Sequence, residues 1–162
     1  MRVFVETTIP SYITARPSRE WLLAAHQKLT RAWWDHHRHV HELYTSQLVL
    51  DEAASGDPRF AARRLNLLAE AALLGATEAA ENFTQDIIHS RILPADAAGD
   101  AAHIAIATAH KMDILLTWNC RHIANAGNQH SLRRLADARK MRLPVICTPE
   151  QLMEETNEST NP

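Results

Sequence analysis

Asp100–His122, DAAHIAIATAHKMDILLTWNCRH, is the stretch whose reading decides the fold. Behind Gly99 and Asp100, the residues Ile104, Ala105, Ala107 and Thr108 recur at helical spacing. Ile114, Leu115, Leu116 and Thr117 then form an apolar, β-compatible run that stops at Trp118-Asn119. An Ala-rich helix feeding a short buried strand is a unit of a parallel sheet. Ligands of open α/β sheets sit outside the carboxyl ends of the strands, so Asn119 falls where chemistry is expected.

Outward from that unit, strands and helices keep alternating. Residues 2–5 (RVFV) are a β-rich run that hands over to Glu6-Thr7-Thr8 before Pro10 ends it. After the loop 15–19, Ser18 is a candidate N-cap for a helix whose buried face would be Trp21, Leu22, Ala25, Leu29 and Trp33. His36, His37, His39 and His41 tempt a zinc assignment, but consecutive histidines at a helix end diverge, and a solvated terminus is the expectation. Residues 40–45 read as a second strand, with Ser46 capping a helix through Asp51 and Glu52. Adjacent helical residues point about 100° apart, so only one of these two acids can face the sheet edge. Asp57-Pro58 restarts a helix, which is expected over 60–74, and Thr77 caps another through about His89. Residues 129–140 read as a surface helix and 144–147 as the last strand. Thr148-Pro149-Glu150-Gln151 is a capping box, and from 154 to 162 the chain reads as a polar, flexible tail.

At 162 residues, 46% of them hydrophobic, the chain is long enough for one domain with a real core, placed at 1–153. No apolar run reaches membrane-spanning length, and Glu6 interrupts the apolar start, so no membrane partner and no secretory leader are expected. Cys120 and Cys147 have neither metal-type nor redox spacing, which suits a reducing, cytoplasmic location. The formal charge of -2 gives no global pull on nucleic acid, so such binding would need local basic patches.

Four segments, VFVETT, LVLDEAASGDP, DAAHIAIA and LLTWNCRHI, together resemble the PIN-domain proteins of the VapC-like toxin group. The alternation itself indicates a three-layer α/β/α sandwich around a parallel sheet of four or five strands. The resemblance adds the strand order 3-2-1-4-5 and a PIN-like fold. It also assigns the acids that spacing leaves open: Glu6 at the first metal-binding position, where the family normally has Asp, then Glu52 rather than Asp51, Asp100 rather than Asp96, and Asn119 at the fourth polar position. Thr7, Thr8 and Asp96 then become supporting residues around the ligands, and Arg121, His122 and Arg16 the candidates for contact with RNA phosphates. His103 is expected to pack at the helix surface or bond locally, and Trp118 to pack.

Three crowded carboxylates repel unless a cation joins them, and hard oxygen ligands suit Mg²⁺ or Mn²⁺. The resemblance implies an Mg²⁺-dependent endoribonuclease acting on single-stranded RNA, the toxin of a type II toxin-antitoxin pair, with a cognate antitoxin and a homodimer as partners. Two other readings compete. Glu6 and the mildly acidic charge suit a catalytically weak PIN-like module that binds RNA or protein. A receiver-type phosphoacceptor shares an acidic pocket, but it wants a Lys after the last strand, where Thr148-Pro149 stands.

Overall fold

A computed structural model describes residues 1–158 of the chain. The elements run β1 (Arg2–Val5), α1 (Thr8–Thr14), α2 (Trp21–His36), a 3₁₀ turn (Arg38–Val40), β2 (Glu42–Ser46), α3 (Gln47–Ala53), α4 (Pro58–Leu68), β3 (Ala72–Leu74), α5 (Glu78–Ser90), α6 (Ala98–Ala109), β4 (Ile114–Leu116), α7 (Ala126–Ala138), β5 (Val145–Cys147) and α8 (Pro149–Glu158). The strands form one parallel sheet in the order 3-2-1-4-5. The central β1 is apolar after Arg2, and Val3, Phe4 and Val5 are completely buried. That burial is what parallel strands covered on both faces require. In register, Val5 lies beside Leu116, so the first residues after β1 and β4, Glu6 and Thr117, leave the sheet side by side. The backbone N–H of Glu6 donates to the Leu116 carbonyl at 3.2 Å and fixes that alignment.

Several local expectations are corrected. The helix expected over 60–74 ends at Leu68, and Ala72–Leu74 becomes β3, paired with β2 from Tyr44↔Ala72 to Ser46↔Leu74. Ala and Leu favour helix, yet the free edge of β2 offers backbone groups to any segment that can reach it, and ladder hydrogen bonds outweigh a weak local preference. Pro10 does not simply end β1 but lies inside α1, at a position in the first turn whose N–H has no helical partner in any case. The second strand starts at Glu42 rather than residue 40, and Val40 sits exposed in the 3₁₀ turn.

The buried face of α2 is also not the one hydropathy picks. Trp21, Leu22 and Ala25 are exposed, whereas Gln27, Thr30, Trp33 and Trp34 are buried. The polar members are inside because they are bonded. Gln27 accepts from the Ser18 backbone N–H at 3.0 Å and donates to the Arg16 carbonyl at 3.1 Å. Thr30 accepts from the Trp118 indole at 2.7 Å. The N-cap of α2 is Glu20, which accepts from Leu23, while Ser18 Oγ accepts from the Glu20 backbone N–H at 3.0 Å. The expected capping box does form, with Thr148 N–H donating to Gln151 Oε1 at 2.9 Å and Gln151 N–H to Thr148 Oγ1 at 3.4 Å. Of the expected tail, residues 159–162 lie outside the described residues. No helix of the described residues is long and apolar enough to cross a membrane.

Candidate functional site

The carboxyl ends of β1 and β4, with α3 and α6 above them, bring together residues far apart in sequence. Glu6 leaves β1 and is 4% exposed. Its Oε2 accepts from the Thr8 backbone N–H at 3.1 Å, Thr8 Oγ1 at 2.5 Å and Thr117 Oγ1 at 2.7 Å. Three donors on one oxygen hold the carboxylate in place, which is how a burial costly to a lone charge becomes tolerable. The longer acid thus has a fitted seat, in which the two flanking hydroxyls reach back to it.

Glu52 comes from α3. Its neighbour Asp51 is exposed, and its carboxylate accepts from Gln47 Nε2 at 2.7 Å, whereas Glu52 meets Thr7 and His103. The Glu52 carboxylate accepts from Thr7 Oγ1 and faces His103 Nε2, with Oε2 at 3.1 Å and Oε1 at 3.3 Å. The first turn of α6 passes close by: a Cβ on Gly99 would stand 3.5 Å from Glu52 Oε1, in ordinary van der Waals contact.

His103 is the functional candidate that the sequence reading missed. The expectation is packing at the helix surface or a local bond, yet it is 1% exposed and reaches Glu52, 51 residues away in sequence. The signal was its spacing: three residues after Asp100 on α6 it shares the face of that acid. Glu6, Glu52 and His103 each offer a donor atom within 4.8 Å of the other two, so the group could hold a metal ion. Burial by itself would raise the Glu52 pKa, but hydrogen bonds from His103 and Thr7 and the charge of the imidazole outweigh it and leave the carboxyl below its ordinary value. For His103 burial disfavours the charged ring, and the bond to Glu52 together with the charges of Glu6, Glu52 and Asp100 reverses this, raising the pKa.

Asp100 and Asn119 form the adjoining half. Asp100 lies in the first turn of α6, and its Oδ1 accepts from Asn119 Nδ2 at 2.9 Å while its Oδ2 meets His122 Nδ1 at 2.7 Å. Asn119 Oδ1 accepts from the His122 backbone N–H at 3.0 Å, and the Asn119 N–H donates to Thr117 Oγ1 at 2.9 Å. A continuous chain of hydrogen bonds therefore runs from Glu6 through Thr117 and Asn119 to Asp100. Of the remaining candidates, Arg121 is exposed beside this network, and Arg16 is exposed with its guanidinium 5.8 Å from the centre of the Phe60 ring. Asp96 is exposed before α6, and among the described residues no hydrogen bond ties it to the cluster. Trp118 is buried and stacks on His26 at 4.0 Å, the packing role expected of it.

No family model and no curated protein matches the chain. Among solved structures it is similar to VapBC2 from Rickettsia felis bound to a DNA fragment from their promoter, with a TM-score of 0.56 and 12% identity over 91% of this chain and 98% of that one. The likeness is one of fold. The helix-flanked parallel sheet in the order 3-2-1-4-5 is PIN-like.

Proposed function

We propose that this chain is a divalent-metal-dependent endoribonuclease that hydrolyses phosphodiester bonds of single-stranded RNA, with Glu6, Glu52, Asp100 and Asn119 as its site. The observation that carries the reading is the meeting of Glu6 and Glu52 at the carboxyl edge of the sheet, with donor atoms within 4.8 Å, and their link to Asp100 through Thr117 and Asn119. Oxygen donors in that number suit Mg²⁺ or Mn²⁺, and such an ion would supply the means to activate water and to offset charge on a phosphate. Glu6 is the buried, immobilised acid. Glu52, with its side chain 37% exposed against 21% for Asp100, is the carboxylate most open to solvent and substrate. Its depressed pKa keeps it ionised at neutral pH, ready to meet a cation. Asn119 and His122 hold both oxygens of Asp100 in a fixed orientation, and the exposed Arg121 is the candidate to meet a phosphate of the substrate.

The likeness to VapBC2 supports the further reading that the chain is the toxin of a type II pair restrained by a cognate antitoxin; that it acts as a homodimer is part of the same proposal. The test is cleavage of an end-labelled single-stranded RNA by the full chain in Mg²⁺ or Mn²⁺. EDTA, or Asp100→Asn, should abolish cutting, and cutting that persists in either case excludes this mechanism.

A further inference from the structure

Glu6, Glu52 and His103 look like a three-ligand set, but the imidazole is placed for a different task. A histidine that ligates a metal through Nε2 must carry its proton on Nδ1, and that N–H almost always donates to a carboxylate, a carbonyl or water. Here Nδ1 of His103 is buried and has no hydrogen-bond partner among the described residues, and the ring is 1% exposed. The tautomer needed for ligation would therefore leave a buried donor unsatisfied, a cost that the imidazolium shares and the neutral Nε2–H tautomer avoids. Both other forms of the ring, the neutral Nε2–H tautomer and the imidazolium, place a proton on Nε2. That nitrogen lies 3.1 Å and 3.3 Å from the two oxygens of Glu52, the geometry of one N–H shared by a carboxylate. The ring also lies against the core, with the Phe4 ring centroid 6.2 Å away.

We propose that His103 is a positioning residue: it donates Nε2–H to Glu52 and, with Thr7 Oγ1 on the same carboxylate, fixes the orientation in which Glu52 meets the cation, without ligating that cation itself. The inference rests on the metal-site reading given above and deepens it. The ion is held by oxygen alone, and the buried histidine sets the aim of the carboxylate through which substrate and solvent reach it. Outer partners of this kind are worth about 10- to 100-fold in metal affinity. A Gln at 103 keeps an N–H donor and should recover much of the loss, whereas Leu removes it.

The experiment is Mn²⁺ titration of the full chain, followed by calorimetry and by pulsed electron paramagnetic resonance of the bound ion. His103→Leu should weaken Mn²⁺ binding about 10- to 100-fold and His103→Gln by clearly less, with the thermal midpoint of each variant recorded to show that it is folded. The Mn²⁺ spectrum of the unaltered protein, which depends on no variant folding, should lack the strong ¹⁴N coupling of a directly bound imidazole. A strong ¹⁴N coupling overturns the inference, and so does a folded His103→Leu variant that binds Mn²⁺ as tightly as the unaltered chain. If Glu52→Gln also leaves Mn²⁺ affinity unchanged, the metal-site reading itself fails and takes this inference with it; impaired binding in Glu52→Gln confines the failure to the role of His103.

Discussion

Thr117 Oγ1 donates to Glu6 Oε2 at 2.7 Å across 111 residues of sequence, and the same hydroxyl accepts the backbone N–H of Asn119 at 2.9 Å. One buried side chain thus joins the first acid of the site to its last polar residue. Thr117→Val preserves shape but removes both bonds and leaves the Asn119 N–H and one lone pair of Glu6 without partners. The expected loss is about 1–3 kcal/mol of stability, read by urea denaturation, with weaker Mn²⁺ binding. An unchanged denaturation midpoint would mean that water replaces the hydroxyl at no cost.

Glu6→Asp restores the acid usual in the resembling family, yet here it should be harmful. The carboxylate would retract by about one carbon–carbon bond, roughly 1.5 Å, from Thr8 and Thr117. Stability is expected to fall by about 1–3 kcal/mol and metal affinity to drop with it. If Asp at this position raised both, the seat built around Glu6 would have no functional value.

Arg121 is exposed next to the Asp100 and Asn119 network. Removing its charge should weaken RNA binding at all sequences and lessen the salt dependence, lowering the magnitude of the slope of log K against log salt by about 0.7 for single-stranded RNA. Filter binding of Arg121→Ala across a salt series measures it, and an unaltered slope would place Arg121 off the path of the substrate.

His41 is partly buried, its two ring nitrogens have no hydrogen-bond partner among the described residues, and it lies 6.0 Å from Trp33 in a stacked arrangement. Burial first, then the N-terminal ammonium and His37, push its pKa below the ordinary 6.5. The folded state thus prefers the neutral ring. Its contribution is complete above the unfolded value of 6.5 and is lost as pH falls from there through the folded pKa. His41→Phe should therefore lessen the drop in thermal midpoint between neutral pH and about pH 5. An identical drop in the variant would show that His41 does not titrate in that window.

The His103–Glu52 pair gives opposite signs in the metal-free protein. The raised His103 pKa contributes stability below the unfolded value of 6.5, and this is lost as pH rises through the folded pKa. The lowered Glu52 pKa contributes above the unfolded value of 4.5, and this is lost as pH falls through the folded one. In EDTA, Glu52→Gln should lower the thermal midpoint most between those two unfolded values, and a deficit that does not vary with pH would count against a charged pair.

Where hydropathy period and cap chemistry agree, the fold can be read from the chain. β1 and β4 are short apolar runs, Ser46 and Thr77 cap α3 and α5, and Thr148 with Gln151 closes the box at α8. β3 could not be read in this way, because Ala72–Leu74 is strand only where the edge of β2 is there to pair with it. Nor could the inner face of α2, because Gln27 and Thr30 are buried by virtue of partners at Ser18, Arg16 and Trp118.

The candidate site divides along the same line. Sequence pattern and family resemblance determined which acids were candidates and on which elements they lie, Glu6 after β1, Glu52 in α3 and Asp100 in the first turn of α6, since these follow from local pattern. The tertiary structure decided which groups serve which oxygen: Thr8 and Thr117 on Glu6, His103 and Thr7 on Glu52, Asn119 and His122 on Asp100. Such partners are chosen by distances of a few ångströms between segments up to 111 residues apart, and a one-dimensional pattern carries no record of those distances until the parallel sheet has set them.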